Sequence, residues 1–91
     1  MTIEELLQKL HINAEPMQNE NGSWTIELAN SNEYSKYYTK LDSCDFLEED
    51  DEASQVAIDT STIQYVNDDF TITLIANFDT NEYKMVIREM Q

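Results

Sequence analysis

Phe70, Ile72, Leu74, Ala76 and Phe78 share one parity, while Thr71, Thr73 and Asn77 take the other. A strand turns successive side chains to opposite faces, so this run reads as one strand with one buried face. After Asp79-Thr80-Asn81, a turn composition, Tyr83, Met85 and Ile87 alternate in the same way with Lys84 and Arg88. Upstream, Ile63 and Tyr65 have the parity opposite to Val56 and Ile58. One regular strand cannot send both pairs inward, because a shift of one residue exchanges the faces. The inward face must switch near Asp59-Thr60-Ser61, through a bulge or a break into two strands. With Asn67-Asp68-Asp69 as a further turn, the last third predicts an antiparallel meander of three or four strands.

The first half follows another period. Thr2-Ile3-Glu4-Glu5 has the form of a capping box, in which Thr2 accepts from the Glu5 backbone N–H and Glu5 reaches back to Thr2. Ile3, Leu6, Leu7 and Leu10 fall at i, i+3, i+4 and i+7, one apolar stripe of a helix over 2–10. Glu4 and Glu5 at its start and Lys9 near its end suit the helix dipole. His11, the sole histidine, follows directly, where an imidazole caps the last carbonyls. Residues 12–17 and 23–29 then predict a hairpin closed at Asn21-Gly22, a dipeptide that supplies the positive φ angles of a tight turn. Pro16 lacks an N–H, which makes the first of these strands short or places it at an edge. Further on, Tyr34, Tyr37, Tyr38 and Leu41 repeat the helical spacing and predict a helix over 31–41, although the tyrosines and Thr39 suit a strand as well. The expectation is one α+β domain over 1–91: an N-terminal helix, a hairpin, a second helix and a C-terminal antiparallel β-meander.

Between the helical and the strand-rich parts, residues 42–52 carry seven carboxylates among eleven side chains and no base. Unpaired carboxylates are not packed inside, because their desolvation costs more than neighbouring contacts return. A solvated loop is expected, tethered to the body by Phe46 and Leu47. The chain has a net charge of −14, and its middle segment, residues 42–69, holds ten acids and no base. Such a field repels nucleic acid and anionic membrane and attracts basic proteins. Direct nucleic-acid binding through Lys9, Lys36, Lys40, Lys84 and Arg88 is opposed by it. The N-terminus lacks a signal-peptide run, no stretch reaches transmembrane length, and the single Cys44 has no disulfide partner, so a cytoplasmic protein is expected.

No catalytic constellation stands out. His11 has no orienting partner in the sequence, and Asp42 and Asp45 disfavour a thiolate at Cys44. Counted from Asp42 or Asp45, a calcium loop would need a glycine at its sixth position and a glutamate at its twelfth, and both are missing. Gly22 is the only glycine, which leaves no phosphate-cradling loop. A non-enzymatic protein without metal or cofactor is expected.

The charge pattern points to binding. A small body studded with carboxylates can occupy a groove lined with Lys and Arg and exclude the nucleic acid that the groove serves. Asp42, Asp45, Glu48, Glu49, Asp50, Asp51 and Glu52 are the expected contacts, with Asp59, Asp68 and Asp69 as secondary ones. Phe46 or Tyr34 is the expected apolar anchor, because charge accelerates association more than it tightens binding. In size, acidity and want of catalytic residues, the chain resembles small phage-encoded inhibitors of host defence, the anti-CRISPR proteins and DNA mimics. That resemblance is one of general character and carries over no residue. It implies a nucleic-acid-handling partner such as a CRISPR effector nuclease, blocked at a basic DNA- or RNA-binding surface in the host cytoplasm. An immunity protein or antitoxin covering a basic toxin nuclease fits the same physics. An interaction module whose acidic loop only keeps it soluble is the alternative of a different class.

Overall fold

The computed structural model describes residues 1–90. Its elements are α1 (Ile3–Lys9), β1 (Met17–Gln18), β2 (Trp24–Leu28), α2 (Ser31–Asp42), β3 (Glu48–Glu49), β4 (Gln55–Val56), β5 (Thr60–Val66), β6 (Phe70–Asn77) and β7 (Glu82–Glu89). The architecture is mixed α+β and mostly strand. Seven antiparallel strands form one sheet in the order β1-β2-β7-β6-β5-β3, with β4 also paired to β5.

The meander β5-β6-β7 forms where alternation predicts it. Ile63 and Tyr65 on β5, Phe70, Ile72, Leu74 and Ala76 on β6, and Tyr83, Met85 and Ile87 on β7 are all buried. Registered pairs such as Tyr65↔Ile72 and Ile72↔Ile87 place them on one face. Asn67 closes the first turn by accepting from the N–H groups of Asp69 (2.8 Å) and Phe70 (2.7 Å). Asn77 does the same for Asp79 and Thr80. These side chains stand in for backbone acceptors, which is why asparagine recurs at such corners. β2 lies between β1, its hairpin partner, and β7, so the N-terminal half completes the sheet on the far side of the meander.

Both helices cover the buried face. At α1 the capping box is complete, with the Thr2 hydroxyl and the Glu5 N–H, and the Glu5 carboxylate and the Thr2 N–H, each 3.2 Å apart. Leu6, Leu7 and Leu10 enter the core. At α2 the Asn30 side chain accepts from the Glu33 N–H at 2.9 Å, and the Thr39 hydroxyl donates back to the Ser35 carbonyl at 3.0 Å. Tyr34, Tyr37 and Leu41 are buried at helical spacing, so the helical alternative holds over the strand one. Burying one stripe against a preformed sheet outweighs the weak strand preference of tyrosine.

Several local expectations are corrected. Residues 12–16 are not strand, and β1 is only Met17–Gln18. Ile12 is drawn into the core because its N–H bonds the Leu7 carbonyl (2.9 Å) and turns the chain over the end of α1. Pro16 then leaves no donor with which to begin pairing earlier. The turn to β2 spans Asn19 to Ser23, and only Gly22 has positive φ (87°), not Asn21. A Gly22 N–H to Asn19 carbonyl bond (3.0 Å) and an Asn19 N–H to Ser23 carbonyl bond (2.7 Å) make this the longer hairpin loop with a left-handed glycine.

His11 meets the helix end through its backbone N–H and not through its imidazole. It occupies the left-handed position after α1 (φ 57°), its N–H bonded to the Gln8 carbonyl. Lys40 of α2 supplies the cap, with its ammonium 2.6 Å from the His11 carbonyl and 3.4 Å from that of Leu10. A left-handed residue with a Cβ is strained by roughly 1–2 kcal/mol, part of which glycine returns through its freer unfolded chain. His11→Gly is therefore expected to stabilise the fold by about 0.5–1 kcal/mol, seen as a higher urea midpoint at unchanged slope.

Candidate functional site

The acidic stretch is not a free loop. Asp42 ends α2, and Ser43 caps it by donating to the Thr39 carbonyl at 2.8 Å. Leu47 is buried, and the half-buried Phe46 packs against the core, so both tether the segment as its composition predicts. Glu48 and Glu49 then form β3 on the outer edge of β5, opposite Val66 and Tyr65. The Asp50 N–H continues the ladder to the Gln64 carbonyl at 2.8 Å. The chain leaves the sheet at this point and returns as β4, opposite Thr62 and Ser61. Residues 48–56 thus form one edge strand with a short excursion in its middle.

Asp50 holds the base of that excursion. Its carboxylate accepts from the Ala53 N–H (3.3 Å) and the Gln64 side-chain amide (3.4 Å). Its carbonyl takes the Ser54 hydroxyl (2.9 Å), while the Ser54 oxygen accepts the Gln64 N–H (3.1 Å). Asp50 therefore serves the fold, and the exposed Asp51 and Glu52 stand on the outside of the excursion.

Strand alternation divides the remaining acids. Glu49 shares the face of Tyr65, and Glu48 that of Val66. On the Tyr65 side, Glu49 meets Asp51 and Asp42. A hydrogen bond with Asp51, slight desolvation and the charges of Asp51 and Asp42 raise the Glu49 carboxyl above the ordinary carboxylate range. The Tyr65 hydroxyl donates to Asp42 Oδ1 at 3.4 Å. Burial first, then the negative charge of Asp42, holds that phenol far above its usual value. On the other side, Asp45, Glu48 and Asp68 surround a surface cleft floored by Phe46 and Val66. The turn after β5 thus brings Asp68 to the stretch 42–52, which spacing alone does not show.

Three expected contacts lie elsewhere. Asp69 is bound to the Met1 ammonium at 3.3 Å. Asp59 precedes β5 and Asp68 follows it, so the strand's seven residues, about 20 Å of chain, separate them. Tyr34 is a core residue, 7% exposed, with its ring 5.8 Å from that of Tyr83 and its hydroxyl bonded to Ser61. It is not offered as an anchor, and Phe46 remains the aromatic of the acidic edge.

No cation is ion-paired with the acids of residues 42–52 among the described residues. Met1–Asp69 is the sole ion pair among the described residues. Lys9 lies over the Phe46 ring (5.3 Å), and Lys40 is spent on the carbonyls that end α1. Lys84 and Arg88 alternate with the buried residues of β7 and so lie on the sheet face turned away from the helices. Among the described residues no group of three or more His, Cys, Asp or Glu is placed to hold a metal, and no helix is long and apolar enough to cross a membrane.

Sequence reasoning missed three exposed apolar side chains: Val56, Ile58 and Phe78. The parity conflict between Val56/Ile58 and Ile63/Tyr65 was the available signal. The conflict is resolved by a break into β4 and β5, and Val56 and Ile58 end outside instead of inside. β6 ends at Asn77, which leaves Phe78 in the turn. No protein-family model, curated protein or solved structure matches the chain.

The buried phenols make stability fall in alkali. Tyr65 and Tyr34 both have raised values in the fold, chiefly through burial. Unfolded tyrosines ionise near pH 10 while these stay neutral, so the unfolded state binds fewer protons there. Their contribution is complete below about pH 10 and is lost as the pH climbs above it. Urea midpoints are expected to decline gently from about pH 8, where the Cys44 thiol, also raised by burial, ionises first in the unfolded chain, and to drop more steeply beyond 10, less so in Tyr65→Phe.

Proposed function

We propose that the chain is a non-enzymatic inhibitor that binds a basic nucleic-acid-binding surface of a partner protein, such as a CRISPR effector nuclease, and blocks DNA or RNA access. One observation carries this: the carboxylates of Asp42, Asp45, Glu48, Glu49, Asp51, Glu52 and Asp68 are exposed around a strand that is paired into the sheet and have no ion-pair partner among the described residues. A frame matters because charges held in place need no ordering on binding, whereas a floppy acidic loop loses entropy when it docks. Asp42, Asp45, Glu48, Glu49, Asp51, Glu52 and Asp68 stand in for phosphates. Phe46 supplies apolar contact beside them.

A second reading has one observation in its favour. β3 is an edge strand, and charged side chains on an edge prevent pairing with another sheet. Guarding that edge, residues 48–56, does not call for acids at Asp42, Asp45 and Asp68 as well.

The test is competition. A panel of purified, guide-loaded CRISPR effector nucleases is titrated with the chain in the presence of labelled target nucleic acid, over a series of salt concentrations. One-to-one displacement that weakens with salt is expected. Binding indifferent to salt, binding that leaves the nucleic acid in place, or no binding across the panel overturns the proposal.

A further inference from the structure

The turn between β4 and β5 and the turn between β6 and β7 meet at one corner of the sheet, joined by the Phe78 N–H and the Asp59 carbonyl at 2.8 Å. Ile58 is 101% exposed there, Val56 76% and Phe78 43%. The backbone around them is fixed. Val56 is registered opposite Ser61, the Ala57 N–H bonds the Thr60 carbonyl at 2.8 Å, and the Phe78 ring stands edge-on to Tyr83 at 6.0 Å. Single exposed apolar residues are ordinary, but here three stand at or beside two joined turns. Asp59 and Asp79, the charged residues of the two turns themselves, are both acids.

We propose that this corner docks into a partner groove built for single-stranded nucleic acid, with Val56, Ile58 and Phe78 seated where unstacked bases lie and Asp59 and Asp79 facing the cations that hold phosphates. The inference rests on the inhibitor reading above and narrows its partner. A duplex keeps its bases stacked inside, so a groove serving only duplex backbone offers cations and no apolar seat. Single-strand grooves pair cations with aromatic platforms, and an apolar side chain flanked by carboxylates matches both parts. A second copy of this chain is a poor occupant, because it brings acids against acids at a net charge of −14 on each body. The corner also adds apolar anchors to the single one, Phe46, that the acidic edge offers. Fixed charge speeds encounter, whereas a desolvated apolar anchor slows escape.

The doubly substituted chain Val56→Thr, Ile58→Ser is compared with wild type and with a chain neutralised at the acidic edge. The probes are the guide-loaded nuclease panel, a labelled oligo-dT and a labelled duplex. Circular dichroism checks that the two exposed substitutions keep the fold. Wild type is expected to displace the single strand. The double variant is expected to dissociate about tenfold faster or more, with an unchanged dependence of association on salt. An unchanged dissociation rate, or displacement of duplex alone, overturns this inference while leaving the inhibitor reading intact if edge neutralisation still slows association. If wild type binds no member of the panel, or edge neutralisation has no effect, the inhibitor reading falls and this inference with it.

Discussion

Replacing Glu48, Glu49, Asp51 and Glu52 together by their amides is expected to slow association with a basic partner by about tenfold or more at low salt and to flatten the salt dependence. The four side chains are exposed, and none is the internal partner of a cation. Their loss therefore leaves the packing alone. It also removes the repulsion that raises the Glu49 carboxyl, so the variant is expected to be no less stable than wild type. Asp50 is left out because its carboxylate holds the Ala53 N–H and the Gln64 amide, and Asp50→Asn would mix a folding effect with a binding one. Stopped-flow association at several salt concentrations is the measurement. Association that is equally fast in both chains would mean that the acids coat the surface and do not steer.

The largest effect on stability is expected at Leu41→Ala. Leu41 is 1% exposed in the last turn of α2 and joins the core of the sheet. Truncating a fully buried leucine costs roughly 2–5 kcal/mol, and a chain of this length has only about 5–14 kcal/mol in total. The consequence reaches the acidic edge, because Asp42 follows immediately and is held by Tyr65. Loosening the end of α2 releases one member of the Asp42, Glu49 and Asp51 group from its frame. Urea unfolding is expected to show a drop of about 3 kcal/mol, with binding weakened beyond what the unfolded fraction explains. A loss below about 1 kcal/mol would mean that α2 is not anchored there.

How much of this was legible beforehand depends on the range of the interaction. The capping box at Thr2 and Glu5, the tyrosine stripe of α2 and the alternation in β6 and β7 are each specified by residues within one or two turns of chain, and each appears as its spacing predicts. Residues 12–16 were misread because apolar character alone cannot tell a strand from a segment pulled inward at a helix end. The Ile12 to Leu7 bond decided that.

The acidic edge shows the same division. Its composition, its need for solvent and its tether at Phe46 and Leu47 follow from residues 42–52 alone, because solvation and charge are properties of the side chains themselves. Which acids stand together does not follow from them. Pairing of β3 with β5 brings Asp68 beside Asp45 and Glu48, turns Glu48 and Glu49 to opposite faces and sets Asp59 at the far end. The sheet likewise takes Tyr34 into the core and leaves Val56 and Ile58 outside. Local chemistry thus decided what each segment must be, and strand register decided which side chains share a surface, because a register joins residues that no short-range pattern connects.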